Sequence, residues 1–437
     1  MKIKSFVLLG LAASLTFASC KKEEDEMTST FTQKFKVTIE NVQMPYAYQA
    51  TGVFNTPVGA SEPGGAGPGS AYEFSVFAGE NSRLSFATMF VGSNDLFFGT
   101  ADNGLALYNN GTMVTGDVTS EISLWDAGTE VNEMPGSGSN QPMNQSGPNT
   151  GMNENGTVRN ITSVMDGFTY PMVSKTIKVT LRAGSMTNEI VVKIENLAGS
   201  TTPIAPGVWT IHESENPIFK ENTKDMSKGL EALAEDGNPA GIVANNQKES
   251  GVNTPFAPGI WAVHESGKMP LFTTGIAGSA ELEALAEDGD PSKMGNSLTT
   301  KVGVKSSGVF NTPVSASGPA PIFPGEQYEF TFTASKGEYL SLATMYVQSN
   351  DLYYSFGQSG IALWNGNSPI SGDLTMDIDL WDAGTEVNEY PGLGLYQPVR
   401  QSGANTGMVE NGIVLKVSDG FMYLMKDQSV KVTISKQ

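Results

Sequence analysis

Short runs of alternating apolar and polar residues recur along the chain. In FKVTIE, Phe35, Val37 and Ile39 alternate with polar positions. Tyr72, Phe74 and Val76 alternate in the next run, and Leu84, Phe86 and Thr88 in the one after. A period of two predicts strands with one buried and one solvated face. Clusters of Gly, Pro, Asn and Ser separate these runs, and no alternation of long helices with strands appears. The pattern predicts an all-β fold built as an antiparallel sandwich or barrel. The runs IKVTL at 177–181 and VKVTI at 430–434 read as closing strands.

The pattern occurs twice. TGVFNTP at 51–57 returns as SGVFNTP at 307–313, and LSFATMFVGSNDLFF at 84–98 as LSLATMYVQSNDLYY at 340–354. LWDAGTEVNE occurs unchanged at 124–133 and 380–389, and SGPNTGMNENG at 146–156 returns as SGANTGMVENG. From Gly52 to Gly156 the copies align without a gap at an offset of 256. They are two copies of one structural unit. A smaller repeat lies between them. PGVWTIHES at 206–214 matches PGIWAVHES at 258–266, and LEALAEDGNP at 230–239 matches LEALAEDGDP at 282–291. Each joins a strand to a short helix that Gly237 or Gly289 stops.

By sequence the chain divides into a leader at 1–19, a tether at 20–33, a first sandwich at 34–186 and a second at 187–437. The second contains both strand–helix units, 203–241 and 255–293. The first copy runs from NVQMPYAYQ straight to TGVFNTP and lacks such a unit. The unit at 203–241 is therefore expected to pack back on the first sandwich and complete it; the alternative is that the second carries both.

The leader has Lys2 and Lys4, an apolar segment from Phe6 to Leu15 that is too short to span a bilayer, and small residues before Cys20. LTFASC resembles a bacterial lipobox, which implies lipidation of Cys20. KKEEDE then begins a charged tether too poor in apolar residues to fold. Lys followed by acids also resembles the surface-export signal of Bacteroidetes lipoproteins, which implies a lipid-anchored protein on the outer membrane, at the cell surface. Cys20 is the sole cysteine, so no internal disulfide is available. The chain has 26 basic and 46 acidic side chains, a balance that becomes −22 without Lys2 and Lys4. Nothing in it suits a nucleic-acid backbone.

In LWDAGTE, an apolar strand end runs into an acidic turn that Gly128 permits. Asp126 and Glu130 are close enough there to share a hard cation. The PGVW…H strand, the GLEALAEDG helix, SGVFNTP, ATMFVGSNDLFF and WDAGTE together resemble the spondin N-terminal (F-spondin/mindin-like) domain family in its bacterial lipoprotein form. The resemblance covers nearly all of 35–437. It implies C2-like antiparallel β-sandwiches, each with a calcium ion at one end. Carried over, the ligands are Asp95, Asp126 and Glu130 in the first copy, and Asp351, Asp382 and Glu386 in the second. The family has aspartate where Glu130 and Glu386 stand.

The same acids could instead be turn formers. Ligand hardness favours Ca²⁺ or Mg²⁺, and no Cys or His cluster suggests zinc. Glu133 and Glu389 read as solvated. His212 and His264, both in HES, read as structural strand residues. No HExxH or G-x-S-x-G occurs. Trp125 and Trp381 are expected in the sandwich core, and Trp364 is the candidate exposed tryptophan. The polar loops 141–151 and 397–407 are candidates for partner contact.

The reading is a non-enzymatic, calcium-binding surface lipoprotein that adheres to matrix protein or polysaccharide. A metal-assisted glycan hydrolase and an envelope protein without a specific ligand are the competing classes.

Overall fold

The computed structural model describes residues 31–437 apart from Ser227, so the leader, Cys20 and most of the tether lie outside the described residues. The two sequence copies fold as antiparallel β-sandwiches of the same build. In each, a four-stranded sheet faces a seven-stranded one, and short helices cover the far side of the larger sheet.

The alternation explains the pairing. Strand Thr32–Asn41 lies between Gln327–Ser335 and Val430–Lys436. Val37 sits opposite Phe330 and Ile434, and Ile39 opposite Tyr328 and Val432. All six are buried in one inter-sheet core. Side chains of alternate parity point away from that core, as the two-residue period requires.

The expected boundary at 186/187 does not divide the sandwiches. Thr32–Asn41, assigned to the first by sequence order, pairs only with strands of the second copy. Glu189–Asn196, assigned to the second, pairs with Ala71–Phe77 and Ile177–Ala183 of the first. The two strands are equivalents. Val192 faces Phe74 as Val37 faces Phe330. Asn196 donates to the Ala66 carbonyl as Asn41 donates to Ile322, each from Nδ2. The first sandwich is thus inserted between the first strand of the second and the rest of it, and the two are circular permutants. The hairpin through loop 184–188 makes the choice cheap, because a short loop loses little closure entropy. The outgoing and returning connections run side by side, with Asn41 Nδ2 donating to the Thr254 carbonyl and Gln43 Oε1 accepting from the Thr254 amide.

The strand–helix units are shared out one to each sandwich. Ile204–His212 pairs with Ala50–Phe54 and Arg83–Phe90 in the first, and Phe256–Glu265 with Val304–Phe310 and Glu338–Tyr346 in the second. The unit at 203–241 therefore completes the first sandwich, and the division that gave both units to 187–437 is corrected. Their glycines are steric necessities. A Cβ on Gly207 would lie 2.2 Å from the Phe54 ring and 2.4 Å from the Ala87 carbonyl; one on Gly259 would meet Phe310 and Ala343 at 2.3 Å.

The helices create a second apolar layer. Leu230, Leu233 and Ala234 of helix Leu230–Asp236 bury against Phe97, Trp125 and Phe219. Leu282, Leu285 and Ala286 of helix Ala280–Asp288 do the same with Tyr353, Phe272 and Trp381. Leu124 and Trp125 are adjacent on a strand, so they face opposite sides: Leu124 enters the inter-sheet core, Trp125 the layer under the helices. Trp125 and Trp381 are thus buried, but outside the space between the sheets where they were expected. Trp364 is buried as well, edge-on to Phe35 with ring centres 5.4 Å apart.

Candidate metal centre

At one end of each larger sheet, three loops bring carboxylates together. In the first sandwich, Ser93 Oγ donates to the Phe90 carbonyl and accepts from the Leu96 amide, which shapes the turn that carries Asp95. Strand Ile122–Asp126 pairs alongside, with Asp126 opposite Leu96 on one side and Arg159 on the other. Gly128 has φ +67° and its Cα faces the Thr157 backbone, where a Cβ would meet the carbonyl oxygen at 2.6 Å. Amides of Glu154 and Gly156 donate to the Thr129 and Gly128 carbonyls, and this brings the 154–156 turn against the acidic one.

The carboxylates that converge are Asp95, Asp126 and Glu154, and in the second sandwich Asp351, Asp382 and Glu410. In each set one oxygen per residue lies within 4.8 Å of the others. Asp95 Oδ2 accepts from the amides of Thr129 (2.8 Å) and Glu130 (3.0 Å), and Asp351 Oδ2 from those of Thr385 (2.7 Å) and Glu386 (3.2 Å). Asp126 Oδ1 accepts from the Gly128 amide, and Asp382 Oδ1 from Gly384. Their other oxygens accept from Asn132 and Asn388.

Four of the six expected ligands therefore meet, and two do not. Glu130 accepts from the Gly151 amide (2.6 Å) and Asn94 Nδ2; Glu386 accepts from the Gly407 amide (2.8 Å). Both carboxylates tie down the long polar loop, and it is their backbone amides that serve the cluster. The third acid comes instead from the ENG turn, as Glu154 and Glu410. Its signal was the Glu retained in the repeated NTGM-x-ENG run. Glu133 and Glu389 are not idle solvated acids either. Glu133 accepts from the Asn140 amide and side chain, and Glu389 is buried and accepts from the Tyr396 amide. Loops 141–151 and 397–407 are also fastened to the helices, Asn149 to Glu231 and Asn405 to Glu283.

Burial pushes the Asp95 carboxyl well above its usual range, and the neighbouring Asp126 adds to this. Asp351 is pushed up to about 8 by burial and then by Asp382. Carboxylates gathered in low dielectric need a counter-charge or a proton. Among the described residues, Asp95 Oδ1 and Asp351 Oδ1 are buried without a hydrogen-bond partner, and each belongs to a cluster of oxygen donors alone. That donor chemistry fits a hard cation. The histidines are committed elsewhere. His212 Nε2 is 2.8 Å from Ser85 Oγ and His264 Nε2 is 2.9 Å from Ser341 Oγ, both rings are buried, and burial lowers both pKa values, that of His212 to about 4.

The clusters differ in their surroundings. Arg159 Nη2 lies 2.7 Å from Asp126 Oδ2 and 2.7 Å from Glu154 Oε1. The corresponding residue in the second sandwich, opposite Asp382, is Leu415. Asp382 and Glu410 also line a cleft of about 430 Å³. Two acidic clusters able to hold a metal ion are thus built on one template, in different electrostatic settings. No family model matches the chain, and no curated protein matches it.

Proposed function

We propose that the protein is a calcium-binding adhesion module, tethered outside the cell through a lipid on Cys20, which holds a polysaccharide or matrix protein without transforming it. The observation that carries this reading is the orphaned, buried Asp351 Oδ1 inside a cluster of three carboxylates at the loop end of a rigid sandwich. Asp351 and Asp382 would hold the ion with Glu410, and calcium would supply the positive charge that lets them ionise together. The residues around them position the loops. Thr385 and Glu386 orient Asp351 through their amides, Asn388 orients Asp382, and Glu386 anchors loop 397–407 at Gly407. Rigid scaffolds commonly carry recognition on loops fixed in this way. The resemblance to spondin N-terminal domains supports the same reading.

The test is a glycan and matrix-protein array probed with the soluble chain in calcium and in chelator. Calcium-dependent retention without product release supports adhesion. Retention unaffected by chelator removes the metal from the function, and release of glycan fragments moves the protein to the hydrolase class.

A further inference from the structure

The two clusters share their backbone, their aspartates and their glutamates, so what separates them is informative. In the first, the guanidinium of Arg159 bridges Asp126 and Glu154 from a side chain that is 30% exposed, while Asp126 is fully buried; it makes no contact with Asp95, whose Oδ1 is as unpartnered among the described residues as Asp351 Oδ1. Arginine keeps its charge at any pH the protein meets and matches carboxylates with fixed donors. A divalent ion bound here would need those same oxygens at roughly 2.3–2.6 Å and would face a fixed positive charge at contact distance. In the second cluster the aligned residue, Leu415, is neutral and 46% exposed. The nearest lysine along the strand, Lys416, is taken by Asp379, 2.6 Å away, and lies over the Trp381 ring. Among the described residues, no cation pairs with Asp351, Asp382 or Glu410.

Access differs in the same direction. Asp126 is buried and Glu154 half-buried, whereas Asp382 is half-buried and Glu410 exposed. The cleft beside the second cluster brings Asn388 and Asp419 to those two acids, with Leu415, Ile413, Phe421 and Lys416 also in its wall, so the second cluster opens to solvent.

We infer that the clusters are not equivalent: in the first, the Arg159 guanidinium takes the place of the cation, and only the second binds a divalent metal ion. This rests on the metal reading proposed above and narrows it to one ion, one sandwich and one deciding residue. The fixed charge is expected to weaken calcium at the first cluster by about 100-fold or more relative to the second, since close like charges in a partly buried setting cost at least that.

The experiment is calcium equilibrium dialysis on the chain from residue 21 onward, with circular dichroism as the check on folding. The wild type is expected to bind one ion. Asp382→Asn is expected to bind none, and Asp126→Asn still one. Arg159→Leu, which copies the second cluster into the first, is expected to bind two. The reciprocal change Leu415→Arg sits on an exposed side chain, so it should fold, and it is expected to abolish binding. Two ions in the wild type, or one ion retained in folded Leu415→Arg, would overturn the inference while leaving the metal reading intact. No ion in the wild type would overturn both.

Discussion

The two sandwiches place nearly identical acidic turns on nearly identical frames, yet they balance the charge in different ways. In the first, Arg159 pairs with Asp126 and Glu154. In the second, Leu415 stands at that place, and among the described residues Asp382 and Glu410 have no basic partner. The outer edge of the same sheet shows the reverse. There Asp379 of the second sandwich pairs with Lys416 and Lys426, whereas the first has Ser123 and Asn160 at the matching places, and Val173 opens the short helix Val173–Thr176 as Lys426 opens Lys426–Ser429. Those three neutral residues line an open groove of about 860 Å³. The difference teaches that the fold tolerates either solution, and that charge balance is set by one or two side chains beside the turn and not by the turn itself.

The largest expected effect follows from metal removal. An ion at about a thousand times its dissociation constant stabilises the state that binds it by about 4 kcal/mol. Calorimetry with and without chelator should therefore show a loss confined to the second sandwich, with the first melting unchanged. An equal loss in both would erase the asymmetry, and no loss in either would remove the metal from the stability of the fold.

Where the sandwiches are alike, they should fail alike. Gly207→Ala and Gly259→Ala each drive a methyl into a phenylalanine ring and a carbonyl of the neighbouring strand. Each is expected to cost about 3 kcal/mol, the upper part of the range for forced overpacking. Urea unfolding of the two variants should give matching losses. A loss at only one position would show that the shared frame is not equally tight.

A smaller effect tests the helices. Burial pushes Glu235 and Glu287 up to about 7, with nearby carboxylates adding to it, and each keeps one oxygen without a partner. A carboxyl raised in the folded state holds its proton longer there than in the unfolded chain. The stability it contributes is present below the unfolded value near 4.5 and is lost as pH rises through about 7. Both side chains are buried, so Glu287→Gln or Glu235→Gln should gain about 2 kcal/mol at pH 8. Each substitution should also flatten the melting temperature between pH 4.5 and 7. A gain that persists at pH 4 would assign the effect to packing instead of charge.

Much of this was legible in the chain because period-two patterning and repeats are local signals. Phe35, Val37 and Ile39 announced a buried strand face, and the acidic turn of WDAGTE marked Asp126 and Asp382, whereas Asp95 and Asp351 were named only through the spondin resemblance. What was not legible depends on long-range choices. The runs KVTIEN and VVKIEN carry the same pattern, so nothing local says which sandwich takes which strand. Glu130 is close to Asp126 in sequence, but the turn directs its carboxylate to Gly151. Glu154 arrives because the amides of Glu154 and Gly156 bond the Thr129 and Gly128 carbonyls, a long-range pairing that spacing along the chain does not show. Trp125 follows Leu124 on one strand, and only a covering helix makes both faces of that strand apolar.

The smallest expected effect concerns the outer edge. Lys426 Nζ donates to the carbonyls of Met376 and Ile378 and to Asp379, and so closes over the region that stands open in the first sandwich. Lys426→Val copies the residue that opens the matching short helix, Val173. Lys416 would remain to neutralise Asp379, so the cost is that of hydrogen bonds from one partly exposed ammonium, about 1 kcal/mol. The loss should shrink at high salt, because part of it is a partly screened ion pair. Urea titrations at low and high salt would read both. A loss of several kcal/mol would mean that the lysine holds the sheet edge together, and that the open groove of the first sandwich needs a support which the second sandwich lacks.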